Sequence, residues 1–268
     1  MAGKLELRFY VFPDASALAE AAARVFITRI PEGDVARPAR IAISGGTTPR
    51  AMLKWLASDA FARFNDRWAN VELFWVDERC VGPEDAESNY RMTKETLLEW
   101  VPLAAERVHR MEGELEPEVA AARYEAMMRN TMRLEGAETP RFDLVLLGMG
   151  ADGHTASLFP HTAALDEMGR LVVANRVEKL DAWRLTLTWP VINQANEVIF
   201  LIEGAAKAEV LREVLFGERD TERLPSQLIR PRNGKLSFLL DEAAAAKLPR
   251  EGAQKLDNVW TNTIEVER

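Results

Sequence analysis

Histidine is scarce in this chain, with three among 268 residues, and one of them stands in an unusual setting. His154 closes the run Gly148-Met149-Gly150-Ala151-Asp152-Gly153-His154. An imidazole titrates near neutral pH, so it can take a proton from water. An acid two residues away can hold one ring nitrogen and fix the tautomer, which makes Asp152 the candidate partner. The glycines let the backbone turn sharply and let a ligand come close. Leu144–Leu147, a short apolar run, leads into this turn and reads as a strand buried on both faces. A strand emptying into a glycine turn presents chemistry at the carboxyl edge of an α/β sheet.

Two further stretches repeat that arrangement. Ala39–Ile43 reads as a strand that delivers Ser44-Gly45-Gly46-Thr47-Thr48-Pro49-Arg50. Glycine N–H groups and hydroxyls at the start of a helix, here 50–57 with Pro49 in its first turn, form a phosphate cradle. The loop lacks the Gly-Lys-Ser/Thr ending of a nucleotide P-loop, which speaks against a nucleoside triphosphate. Val71–Val76 delivers Asp77-Glu78-Arg79-Cys80. Three charges directly after a buried strand are costly unless they face a polar cleft, or unless Asp77 and Arg79 pair to shape the loop. Cys80 beside His154 formally offers a thiol nucleophile, but a lone cysteine is more often inert and part-buried.

Two cations complete the candidate set. Arg184 opens the alternating segment Arg184-Leu185-Thr186-Leu187-Thr188. Lys207 lies in the first turn of a helix expected over 205–215, where a cation opposes the macrodipole. An anion shared by that helix start and the ammonium explains it, and so does a solvated surface lysine.

The elements that must position these groups alternate along the chain. Leu5–Phe12 reads as a strand, followed by a helix over 15–30 capped by Asp14. Helices are expected over 89–100 and 117–134, and strands over 108–111, 142–147, 171–177, 184–188, 198–202 and 235–240. A capped alanine-rich helix is expected over 241–248. Strand–helix alternation implies a three-layer α/β fold of Rossmann-like type, a mainly parallel sheet with helices on both faces. Residues 1–248 read as one α/β domain, and 249–268 as a tail without assignment. Gly148-Met149-Gly150-Ala151-Asp152-Gly153 formally matches the dinucleotide fingerprint G-x-G-x-x-G. Pro160 interrupts the helix that should follow, and 171–174 is apolar where an acid is required, so NAD and FAD are rejected.

Bulk properties narrow the partners. Charged residues are 28% of the chain and the net charge is −8, with both signs mixed throughout. That argues against nucleic acid or an anionic membrane surface as partner. The single cysteine excludes an internal disulfide, and the N-terminal stretch lacks the apolar core of a signal peptide, so a cytoplasmic location is expected.

In order, the segments 44–50, 75–81, 88–90, 147–160, 184–188 and 204–211 resemble the 6-phosphogluconolactonase family, across the chain to about residue 246. The resemblance implies hydrolysis of 6-phosphoglucono-1,5-lactone to 6-phosphogluconate in the oxidative pentose phosphate pathway, by one α/β domain without metal or cofactor. The related glucosamine-6-phosphate deaminases share the Ser-Gly-Gly loop and the Asp-Gly-His turn, but carry a glutamate five residues after the histidine. Here that position is Phe159, which favours the lactonase. In this reading His154 activates water, Asp152 holds its tautomer, and Arg79 stabilises the developing oxyanion. Asp77 binds a sugar hydroxyl or orients Arg79. Ser44, Gly45, Gly46, Thr47 and Thr48 cradle the phosphate, closed by Arg184 and Lys207. The rivals are a deaminase or isomerase on the same scaffold and a non-catalytic sugar-phosphate sensor. Oligomeric state is left open, a monomer included.

Overall fold

The computed structural model describes residues 4–249, 254–256 and 259–267. Its centre is a nine-stranded sheet built from β1 (Lys4–Phe12), β2 (Ala39–Ile43), β3 (Val71–Trp75), β5 (Val108–His109), β6 (Leu144–Leu147), β9 (Glu197–Ile202), β10 (Lys235–Asp241), β11 (Gln254–Leu256) and β12 (Val259–Glu267). The spatial order is β11-β12-β1-β10-β9-β6-β2-β3-β5. Every neighbour pair from β1 to β5 in that order is parallel. β12 runs antiparallel to β1, and β11 antiparallel to β12. Residues 254–256 and 259–267, without an assignment from sequence, are strands that extend the sheet past β1.

Apolar runs explain the middle of the sheet. All four residues of β6 and all six of β9 are buried, so both faces of those strands are covered. Helix α1 (Ala15–Thr28) starts where the Asp14 carboxylate accepts from the Ala17 N–H at 2.8 Å, and it buries Leu18, Ala22, Ala23 and Phe26 along one face. Helix α2 (Thr47–Leu56) begins three residues earlier than expected, with Gly46 as its N-cap. Helix α3 (Asn89–Thr93) passes into a π-helical turn at Lys94–Leu98 instead of continuing as one α-helix. Helix α4 (Pro117–Met132) has proline in its first turn and ends on Arg133 at φ 54°. The mainly parallel sheet with covering helices is the expected Rossmann-like α/β class.

A second, three-stranded antiparallel sheet forms a separate hydrogen-bonded ladder. It joins β4 (Asp77–Arg79), β8 (Ala182–Leu187) and β7 (Val172–Val177) in the order β4-β8-β7. Residues expected to form a charged loop at 77–79 are therefore a strand, because β8 supplies backbone partners for it. A short helix α5 (Trp189–Ile192) follows β8. After β9 the expected single helix divides into a 3-10 turn, Ala205–Lys207, and helix α6 (Ala208–Phe216). The expected helix over 241–248 is absent: that stretch is a series of turns. The Asp241 carboxylate caps it as anticipated, at 2.7 Å from the Ala244 N–H, but the same carboxylate also binds the Gly204 N–H at 3.0 Å.

Candidate active site

The chain leaves β2 toward β3 on one side, and leaves β6 toward β9 on the other. Neighbouring parallel strands whose connections diverge open a crevice at their carboxyl ends. The two loops singled out by sequence issue from these strands, Ser44–Thr48 after β2 and Gly148–His154 after β6. A buried hydrogen bond ties the first loop to strand β6, with Ser44 Oγ donating to the Leu146 carbonyl at 2.7 Å. The Ser44 hydroxyl thus faces the sheet rather than adding a donor to the cradle, a correction to the expected role of that side chain.

A cleft of about 260 Å³ fills the crevice, lined by Ser44, Gly45, Gly46, Thr47, Thr48, Asp77, Arg79, Asn89, His154 and Lys207 among others. Past His154 it opens into a wider hollow whose walls include Asp77, Arg79, Asp152, Phe159, Lys179 and Arg184. Every residue expected at the site lines one of these two spaces. Arg184 lies in the outer hollow, away from the walls that Lys207 shares with the glycine loop. It stands directly opposite Arg79 in the β4–β8 register.

His154 is held on three sides. Its Nδ1 lies 2.5 Å from Asp152 Oδ1. The Gly150 N–H donates to the His154 carbonyl at 2.8 Å, closing the turn. A Cβ on Gly150 would sit 2.0 Å from Nδ1, so only glycine lets the acid and the imidazole pack there. The Phe159 ring stacks on the imidazole at 4.1 Å between centroids, with planes 24° apart. Because 29% of the histidine side chain stays exposed, solvent reaches the ring through the cleft.

Burial dominates the electrostatics. It holds the His154 imidazole down to about 4, helped by the nearby cations Lys207, Arg79 and Arg184 and opposed by Asp77. Burial likewise lowers Lys207 and Arg184, with the facing Arg79 adding to the effect on Arg184. Among the described residues no carboxylate pairs with Arg79, Arg184 or Lys207. Three cations without a salt-bridge partner around a cleft are suited to an anionic ligand. Burial raises Asp77, whose Oδ2 accepts from Ser157 Oγ at 2.7 Å. Arg79 donates to the Glu87 carbonyl, and among the described residues no hydrogen bond or ion pair joins it to Asp77, although its charge favours the ionised form of that carboxyl.

Burial pushes the Cys80 thiol up to about 11, the state of an inert thiol rather than a nucleophile. His109 is equally unsuited to chemistry: it stacks on Phe74 in the core, and burial lowers it to about 4. Among the described residues there is no cluster of three or more metal-ligating side chains, and no helix long and apolar enough to cross a membrane.

Residues 13–238 match the family model described as glucosamine-6-phosphate isomerases/6-phosphogluconolactonase. The chain belongs to this family. Similar members include a 6-phosphogluconolactonase of Synechocystis, 39% identical over 78% of this chain and 84% of that protein. One from Aggregatibacter actinomycetemcomitans is 34% identical over 90% of this chain and all of its own length. The solved 6-phosphogluconolactonase of Trypanosoma brucei superposes with a TM-score of 0.78 at 29% identity, covering 90% of this chain and 98% of that one.

Several residues that build the walls and floor of the cleft are not among those the sequence pattern singles out. Glu78 is buried and accepts from the N–H groups of Arg79, Asn89 and Tyr90 at 2.8 Å each, and from Ser88 Oγ at 3.1 Å. That carboxylate fastens the Ser88–Tyr90 segment under β4. Asn89 in turn donates to the Asp77 carbonyl at 2.9 Å and packs on Gly45. The run of charges after a buried strand was a visible signal for Glu78. The contacts of Ser157 and Lys179 bridge distant segments and left no local pattern to find.

Proposed function

We infer that this protein is a 6-phosphogluconolactonase, hydrolysing 6-phospho-D-glucono-1,5-lactone to 6-phospho-D-gluconate in the oxidative pentose phosphate pathway. One observation carries the reading: a neutral imidazole, braced by a carboxylate, faces the same cleft as a glycine-rich helix start and an unpaired lysine. Curated relatives of that name, 33–39% identical to much of the chain, support it independently.

With Nδ1–H donated to Asp152, the Nε2 lone pair of His154 is the free base. It takes a proton as water attacks the lactone C1 carbonyl. The Arg79 guanidinium stabilises the charge that develops on the carbonyl oxygen. When the C1–O5 bond breaks, the imidazolium returns its proton to O5, giving the open-chain acid. The N–H groups of the Gly45–Thr48 loop and the Lys207 ammonium hold the phosphate, and Arg184, set in the outer hollow, adds positive potential without contacting the phosphate cradle. Asp77, ionised or protonated, hydrogen-bonds a sugar hydroxyl. Binding energy from the remote phosphate fixes the ring for attack. No covalent intermediate and no cofactor enter this scheme. Residues 1–248 act as the catalytic domain, and the lone, inert Cys80 fits a cytoplasmic setting.

Phe159 separates this reading from deamination. It lays an apolar face on the imidazole where the deaminases of the resemblance place a carboxylate. The deciding experiment follows hydrolysis of freshly generated lactone, corrected for spontaneous opening, beside an assay on glucosamine 6-phosphate. Lactone turnover with no ammonia release is expected; the reverse pattern, or binding of sugar phosphate with neither activity, overturns the reading.

A further inference from the structure

The β7–β8 turn, Glu178–Leu180, brings a lysine onto the back of the histidine pair. Lys179 Nζ forms an ion pair with Asp152 Oδ2, while Asp152 Oδ1 engages His154 Nδ1. The same ammonium lies 4.9 Å from the centre of the Phe159 ring, on whose stacking the imidazole rests. One cation therefore touches both groups that hold the base, and it comes from the second sheet rather than from the glycine turn.

We propose that Lys179 is a positioning residue for His154: it pins the Asp152 carboxylate by its far oxygen and clamps Phe159 against the ring, so that the near oxygen stays on Nδ1. The inference rests on the lactonase reading for its kinetic consequence, but not for its structural one. A carboxylate held through one oxygen only can rotate away from the imidazole or accept from solvent. Held through both, it has a single orientation, and the ring a single tautomer. Lys179 keeps half of its side-chain surface exposed, so its replacement leaves the core untouched.

The charged groups around His154 fix the sign of the effect. They are Asp152 on its own turn, Lys179 on the β7–β8 turn, Asp77 and Arg79 on β4, Arg184 on β8 and Lys207 after β9. Removing Lys179 takes away a positive charge and unmasks the Asp152 carboxylate. Both changes favour the protonated imidazole, so its titration moves up.

The test compares wild type with Lys179→Met and Lys179→Arg. Lys179→Met is expected to lower kcat about tenfold with KM within about twofold, and to move the acid limb of kcat upward by about half a unit or more. Lys179→Arg restores most of both. Unchanged kcat with an unchanged limb overturns the proposal, and so does a rise in KM alone, which marks a substrate contact. Titration of the His154 ring nitrogens by NMR, without substrate, tests the brace separately. An upward shift in Lys179→Met supports it even if the lactonase assay fails in wild type, and an identical titration overturns it even if that assay succeeds.

Discussion

At the scale of single residues, the general-base role proposed for His154 makes two demands that pull against each other. A base must be unprotonated at working pH, yet must carry a proton during turnover. Burial against Phe159 meets the first by lowering the imidazole to about 4. In the proposed mechanism Asp152, 2.5 Å from Nδ1, meets the second by stabilising the imidazolium. The ring should therefore stay neutral across the physiological range and gain its proton only as pH falls through about 4, well below free histidine. NMR titration of its ring signals reads this directly, and a midpoint near that of a free imidazole refutes it. His154→Asn should reduce kcat by about 10²-fold or more with little change in KM, the usual weight of a general base. Lys207→Ala tests the proposed phosphate end of the site. It should weaken binding of 6-phosphogluconate about tenfold to a hundredfold, as loss of one charge-assisted hydrogen bond implies; calorimetry at fixed ionic strength gives the number.

Elements explain why these residues meet. The sequence pattern revealed the loops after β2 and β6, because apolar runs ending in glycine are a local signal with a known geometry at a sheet edge. It also showed Arg184 on an alternating strand. It did not show that this strand leaves the main sheet to pair with Asp77–Arg79, since periodicity is silent about partners. The same blindness applies to 241–248: alanine favours a helix, but Asp241 is drawn to the Gly204 turn as well as to its own N–H partners, and turns result. Glu78 shows the energetic side. Its one buried carboxylate satisfies three backbone N–H groups and a serine hydroxyl. Glu78→Ala leaves these donors orphaned beneath the site and should lower unfolding stability by about 2–4 kcal/mol, measured by urea denaturation.

On the scale of the whole molecule, chemistry and edge protection lie at different places in the sheet. The crevice sits at β6 and β2, while β12 covers the edge of β1, three strands away across β10 and β9. β1 pairs with β10 on one side and with β12 along residues 4–11 on the other. The long antiparallel strand replaces water on a row of backbone groups that would otherwise be exposed, and an exposed parallel-sheet edge invites association with other chains. Composition alone gave no reason to place this polar segment, because edge strands need few apolar residues and carry no helical or buried-strand pattern. Deleting residues 249–268 should therefore lower the thermal midpoint by several degrees, given about 1–3 kcal/mol lost from a chain this size. It should also promote concentration-dependent association, seen in sedimentation velocity, while kcat and KM at low temperature stay within about twofold of the full chain. A large loss of turnover in a truncated protein that remains folded by circular dichroism would mean that the edge and the site are mechanically coupled, and that the strands between them do not insulate one from the other.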